Sequence, residues 1–329
     1  MRDELRKLSN SIRDEGITKT AGLAARQLHQ DIKNRSSSTI RRLVQETVFR
    51  YNYGVGTEVI KEDWDNLIIL DACRYDDFKE FCRLEGKLES RISLGTDSPQ
   101  FLLRNFGGRK IHDTVYITAN PHYKKLPEET FHAIVDEPIS NWDTKLQCVK
   151  PSDVTEAALR AYREYPNKRL IIHYMQPHDP PLGETGEELR EIIDFKGPSP
   201  IGMKNDKSGM RIMNAVKSGL IPVEDAREAY RETLLIALDE VQTLLDDVGG
   251  KSIITSDHGE MFGEKPYPLI SQMYEHGGLP AKELNKVPWF ITDGHSDRRT
   301  IVSEPPKKAQ ITRDDDKNIT DQLEALGYK

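Results

Sequence analysis

The sequence predicts an α/β protein: a doubly wound, mostly parallel sheet with helices on both faces, preceded by a helical N-terminal extension. Three observations lead there. Short apolar runs recur along the chain, as in Leu67-Ile68-Ile69-Leu70 and Ser252-Ile253-Ile254-Thr255. These runs are apolar throughout rather than at every second residue, which is the pattern of strands buried on both faces. Segments with helical spacing separate them, and strands alternating with helices build a parallel sheet covered on both sides.

Residues 1–60 form the extension. Its apolar residues (Leu5, Leu8, Ile12, then Ile40, Leu43, Val44 and Val48) suggest amphipathic helix in pieces, and Ser or Thr in Asn34-Arg35-Ser36-Ser37-Ser38-Thr39 serves as a helix cap. Residues 1–50 hold 11 Lys and Arg against 6 Asp and Glu, a net of +5. A basic amphipathic segment can lie as a peripheral contact on an anionic membrane surface. The plainer reading packs it on its own domain or in a homodimer.

Residues 61–300 form the main domain. Strands are expected at Asn66–Leu70, Glu89–Leu94, Thr114–Ala119, Arg169–Tyr174, Ser252–Thr255 and Val287–Thr292, and helices at Tyr75–Leu84, Pro99–Phe106, Ser152–Tyr165 and Val223–Val248. The last carries Tyr230, Leu234, Leu238, Val241, Leu245 and Val248 at helical spacing, so it covers one face of the sheet. Residues 179–222 break the rhythm with Pro180-Pro181 and Gly197-Pro198 and read as an insertion or lid over the strand ends. Residues 301–329 read as a polar tail with a short helix.

A chain of 329 residues can bury a substantial core. Charged residues make up 31% and the mean hydropathy is −0.64. No run approaches the ~18 apolar residues of a membrane span, and residues 1–30 lack the apolar core of a signal peptide. The expectation is a cytoplasmic protein whose extension can reach the inner membrane face. The net charge is −7, so the chain beyond residue 50 carries −12, which argues against a nucleic-acid partner. Cys73, Cys82 and Cys148 form no CxxC pair and are expected reduced and mostly buried.

In open α/β sheets chemistry gathers at the carboxyl ends of strands. Here those ends carry Asp71, then Gly95-Thr96-Asp97-Ser98-Pro99, then His173-Tyr174-Met175-Gln176-Pro177-His178-Asp179, and Asp257-His258-Gly259. Adjacent carboxylate and imidazole at Asp257-His258 can bind one metal ion, and Gly259 allows backbone or ligand a close approach. A metal held by Asp71, Asp257 and His258 could lower the pKa of a nearby hydroxyl and make it a nucleophile. The same letters around Ser98 fit an ordinary helix N-cap followed by Pro99 at the first helical position. His122, in Thr118-Ala119-Asn120-Pro121-His122, ends another strand and is a candidate substrate contact. His173 lies within its strand and reads as a core imidazole rather than a ligand. Cys73 reads as a small buried residue behind the site.

Asp257-His258-Gly259-Glu260, followed by Gly263-Glu264, His276-Gly277 and Val287-Pro288, resembles the metal-binding end of the alkaline phosphatase superfamily. It resembles most the sulfatase-like branch that includes phosphoethanolamine transferases and lipoteichoic acid synthase. Asp71-Ala72-Cys73-Arg74 resembles the branch's first metal carboxylate with an Arg three residues on, so the resemblance covers residues 65–293.

The resemblance implies the fold of that branch and a catalytic divalent cation bound by Asp71, Asp257 and His258. The nucleophile would be Ser98, with Thr96 the alternative. His178 and His276 would contact the transferred group or a second metal, Arg74 would steady the strand end or bind the substrate's anion, and His122 and Glu260 stand on the substrate side. An Asp/Asp/His set with a hydroxyl suits Zn²⁺ or Mn²⁺, with Ca²⁺ or Mg²⁺ less well matched. The activity implied is hydrolysis or transfer of a small-molecule, glycan-linked or lipid-linked phosphate ester through a covalent phospho-enzyme.

Two departures bear on this. The chain has no Cys-x-Pro-x-Arg motif, and Ala72 stands where sulfatases place a second Asp. Both favour phosphoryl chemistry over its rival on the same fold, sulfuric ester hydrolysis. A rival of another class is a non-catalytic scaffold that binds through its basic arm.

Overall fold

The apolar runs are strands, and the segments between them are helices packed on two faces. The computed structural model describes residues 38–195, 210–266, 271–293 and 297–306. Residues 1–37 and 307–329, with most of the predicted arm and tail, lie outside the described residues.

Along the chain run α1 (Ser38–Tyr53), β1 (Asn66–Asp71), α2 (Tyr75–Phe81), β2 (Lys87–Ile92), α3 (Ser98–Phe106), β3 (Ile111–Thr118), β4 (Phe131–Val135), α4 (Glu137–Ser140) and α5 (Pro151–Glu164). Then follow β5 (Arg169–Pro177), α6 (Gly183–Ile192), α7 (Ile212–Lys217), α8 (Val223–Asp247), β6 (Lys251–Thr255), β7 (Met261–Phe262), β8 (Tyr274–Glu275), α9 (Lys282–Asn285) and β9 (Lys286–Asp293).

Seven strands form one sheet in the order β2-β9-β6-β1-β5-β3-β4, and β7 and β8 form a separate hairpin. β1 is central and pairs in parallel with β5 and β6, while β9 runs antiparallel to its neighbours. The sheet is therefore mixed but mostly parallel, as the apolar runs predict. Both faces are covered. Ile68, Leu70, Ile172 and Ile254 pack with Ala157 of α5 and Leu234, Leu238 and Val241 of α8. Leu67, Ile69, Ile171 and Ile253 pack on the other face with Phe101, Leu102 and Phe106 of α3. Neighbouring residues of β1 thus point to opposite cores, and the absence of alternation in its sequence follows.

The 179–222 stretch contains α6 and α7. These pack Leu189, Ile193, Ile212 and Val216 against Ala226 and Tyr230 of α8 in a small core of their own. The strand β4 is absent from the sequence-based expectation: it is a short edge strand, and Ala133, Ile134 and Val135 are only half-buried. Cys73 and Cys148 are buried free thiols, and Cys82 is half-buried. No described helix is long and apolar enough to cross a membrane.

Candidate metal centre and active site

β1 ends in a turn that its sequence does not favour. Ala72 is buried with φ of 59°, the left-handed region that costs a residue with a Cβ about 1 kcal/mol. The turn is held from outside: the Tyr230 hydroxyl donates to Ala72 O at 2.8 Å and accepts from Arg74 N–H at 2.8 Å. In this conformation Ala72 N–H donates to Asp257 Oδ1 at 3.1 Å, and His258 N–H donates to the same oxygen at 2.9 Å. The Ser93 hydroxyl donates to Asp257 O. One carboxylate oxygen of Asp257 is thereby anchored and the other, Oδ2, is left without a partner. Gly259 is required here, since a Cβ on it would stand 2.0 Å from Glu283 O.

α3 brings the hydroxyl. Its N-cap is Asp97, which accepts from Gln100 N–H at 2.8 Å, so Ser98 is the first helical residue and not the cap that the sequence allows. Phe101, Leu102 and Phe106 bury the other side of α3, each contributing about 1.5–3 kcal/mol of hydrophobic stabilisation that fixes the helix on the sheet. Ser98 Oγ donates to Asp71 Oδ2 at 3.1 Å and lies 3.4 Å from His258 Nε2. Asn120 Nδ2 donates to the same Asp71 oxygen at 2.7 Å. Thr96 is turned elsewhere: its hydroxyl accepts from Gln100 Nε2 at 3.0 Å, and its carbonyl accepts from Gly277 N–H at 2.6 Å. Gly277, at φ of 88°, makes that approach possible.

His258 Nε2 is 3.5 Å from Asp71 Oδ1 and 3.4 Å from Asp257 Oδ2. Its Nδ1 donates to Gly259 O at 2.8 Å, which leaves the Nε2 lone pair facing the carboxylates in the neutral ring. His173 does the same from β5, contrary to the core-imidazole expectation. Its Nδ1 is hydrogen-bonded to the Tyr116 hydroxyl at 2.8 Å, and its Nε2 stands 3.6 Å from Asp71 Oδ2 and 3.9 Å from Asp257 Oδ2. One ligand atom each from Asp71, His173 and Asp257 falls within 4.8 Å of the other two, all buried.

These residues fit a divalent cation. Asp71 Oδ1, Asp257 Oδ2 and His173 Nε2 are all buried without a hydrogen-bond partner. Orphaned buried polar atoms are costly, and three together, two of them carboxylate oxygens, call for positive charge. Two donors bound tetrahedrally at zinc-like distances stand about 3.4 Å apart, the separation that His258 keeps from each carboxylate. The electrostatics agree. Burial pushes Asp71 toward protonation, but the imidazoles of His173, His178 and His258 outweigh it and hold the carboxyl well below the usual range. Burial lowers the pKa of His258, and Asp257 and Asp71 overcome that and raise it.

A second row of imidazoles flanks this group. His276 stacks on His258 with ring centroids 4.6 Å apart and meets His178 edge-on at 4.9 Å. Glu260, expected on the substrate side, faces His276: Oε2 accepts from His276 Nδ1 at 2.9 Å and Oε1 from Met261 N–H at 3.1 Å, so it orients His276. Burial opposes a charged His276, and Glu260 overcomes it and raises the pKa. His122 lines the cleft beside Ser98 and Asp71, and burial pushes its pKa down to about 4.

Arg74, expected to steady the strand end or the anion, is engaged by acids of the chain itself. It is 3% exposed and pairs with Asp76 at 2.7 Å and Glu264 at 2.6 Å, and donates to Glu260 O at 2.8 Å. Its donors are used to fasten the loop that carries Glu260. Sequence reading missed His173 and Asn120 as neighbours of Asp71. His173 leaves no local signal, whereas Asn120 stands two residues before His122, at the end of a strand already marked.

No family model and no curated protein matches the chain. Among solved structures it is similar to the soluble domain of lipooligosaccharide phosphoethanolamine transferase A from Neisseria meningitidis, at 15% identity over 68% of this chain and 75% of that one, with a TM-score of 0.41. It is also similar to the periplasmic domain of a phosphoethanolamine transferase from Campylobacter jejuni, at 12% identity over 70% and 78%, with a TM-score of 0.40. A putative sulfatase from Bacteroides thetaiotaomicron stands at 12% identity over 80% and 70%, with a TM-score of 0.41. These are the transferase and sulfatase types that the sequence motifs resemble. The roles of residues in this chain rest on its own geometry.

Proposed function

We propose that the chain is a metal-dependent hydrolase or transferase of a small-molecule, glycan-linked or lipid-linked phosphate ester, with Ser98 as nucleophile. The observation that carries this reading is the Ser98 hydroxyl 3.1 Å from Asp71, beside three orphaned buried donors that suit a cation. Asp71, Asp257, His258 and His173 would hold the ion, whose charge when bound lowers the pKa of a neighbouring hydroxyl and offsets charge on phosphoryl oxygens.

The rest falls to the chain's own side chains. Asp71 orients the hydroxyl of Ser98, and α3 holds its Cα rigidly. Oγ gives up its proton to solvent and bonds to phosphorus as the bond from phosphorus to the ester oxygen breaks, leaving phosphoserine and a departing alcohol oxygen. His276, whose pKa Glu260 raises against the effect of burial, is placed beside His178 to give that oxygen a proton. Water or an acceptor hydroxyl then loses its proton and bonds to phosphorus as the bond from phosphorus to Oγ breaks, and Oγ takes a proton back to restore Ser98. A serine without a Cys-x-Pro-x-Arg motif favours the phosphoryl reaction over the sulfuryl one.

The test is acid quenching of the protein during turnover of an aryl phosphate, then peptide mass spectrometry. Phosphoserine at position 98 supports the reading. Turnover that persists in Ser98→Ala without any phosphopeptide contradicts it.

A further inference from the structure

β2 leads into residues 93–97 and so to Ser98 at the start of α3, while α9 leads into β9. The two strands pair antiparallel with Ile92 opposite Lys286, which puts Ser93 against Asn285, the last residue of α9. Ser93 N–H donates to Asn285 O at 2.6 Å. The Asn285 side chain is 4% exposed and fully engaged. Its Nδ2 donates to Ser93 O at 3.1 Å and to Gly95 O at 3.0 Å, and its Oδ1 accepts from Ala281 N–H at 3.2 Å. Two carbonyls facing one end of the amide and an N–H facing the other allow only this orientation.

The same short helix holds the turn with the metal-binding pair, since Leu284 O accepts from Gly259 N–H at 2.8 Å. Ser93, also buried, closes the link: its hydroxyl donates to Asp257 O and accepts from Gly95 N–H at 3.1 Å. Gly95 lets this stretch lie tight on α3, where a Cβ would stand 2.6 Å from Phe101 N. Every one of these side-chain bonds goes to backbone, so the pair acts on the site through the placement of the chain.

We infer that Asn285 and Ser93 are positioning residues that fix the stretch leading to Ser98 against the turn bearing Asp257 and His258, and so set how the Ser98 hydroxyl meets that group. This rests on Ser98 as the nucleophile, the reading proposed above. A misplacement of about 1 Å at a reacting atom can cost about 100-fold in rate, and buried hydrogen bonds of this kind hold a site within that tolerance.

The test is Asn285→Leu in the full-length protein, which keeps the branched shape and removes both donors. With zinc loaded, kcat on an aryl phosphate is expected to fall about 100-fold, with KM and zinc affinity each within about threefold, because no group that binds metal or ester is removed. Hydrogen exchange followed by mass spectrometry reads the placement without turnover: the amides of residues 94–98 should exchange about tenfold faster, while those of β1 and β6 keep their rates. Ser93→Ala should reproduce the pattern and serves if the first variant fails to fold. An unchanged kcat in the folded variant, or exchange that quickens equally in β1 and β6, is the mark of a residue serving stability alone and overturns the inference. Faster exchange confined to residues 94–98 in a protein without Ser98-dependent turnover leaves the positioning standing and sinks the reaction. Ser98-dependent turnover indifferent to both variants does the reverse.

Discussion

Nε2 of His173 lies 3.6 Å from Oδ2 of Asp71, on the strand next to it in the sheet. The Tyr116 hydroxyl, 2.8 Å from His173 Nδ1, sets the orientation of the ring. Metal-bound imidazoles characteristically have such a partner on the second nitrogen, and losing it costs about 10–100-fold in metal affinity. Tyr116→Phe should therefore weaken zinc binding by at least about tenfold in competition against a chelating dye, and His173→Gln by more. Unchanged affinity in both would return His173 to the role of core imidazole.

Ser98→Ala should lower kcat on an aryl phosphate by about 10³-fold or more, with circular dichroism unchanged. Thr96→Val should cost less than about tenfold, because its hydroxyl is bonded to Gln100. Steady-state rates of the two variants decide between the two hydroxyls.

Arg74→Met should act on stability. Asp77, fully buried, keeps Arg227 and Arg231 but loses one of three cations, and the 260–264 loop loses its tether. Breaking a buried ion pair costs about 3 kcal/mol or more, readable in the urea midpoint. The KM of the folded protein should stay within about threefold, whereas loss of an anion-binding residue would raise it further.

Acid should destabilise the fold through His122. Burial holds its folded pKa at about 4 against an ordinary value of 6.5. The unfolded chain therefore binds the proton more tightly, and stability is intact above pH 6.5 and falls as pH drops from there toward 4. The difference between pH 7.5 and pH 5 amounts to about 2 kcal/mol from this residue. Denaturant melts of His122→Gln should show a pH dependence shallower by about that amount.

Much of this was legible in the sequence, for physical reasons. β1 and β6 are buried on both faces, so each is a bare apolar run, and an acid at the end of such a run stands out. The order of Asp71, Ser98, His178, Asp257, His258 and His276 at strand ends is likewise a linear property. His173 was not legible, because it depends on the register that sets Ile69 opposite it and on which face of β5 it takes. For Arg74 the sequence left two readings, steadying the strand end or the anion. The acids that engage it, Asp76 and Asp77 nearby and Glu264 far along the chain, agree with the first. The edge strand β4 carries too few buried residues to announce itself.

The most direct measurement is elemental analysis of the purified protein after loading with Zn²⁺ or Mn²⁺, set beside Asp257→Ala and His258→Ala. One or two divalent ions per chain, reduced in both variants together with aryl phosphate turnover, is the predicted result. A protein that takes up no metal under any loading, or whose turnover survives Asp257→Ala, would contradict the account at its centre.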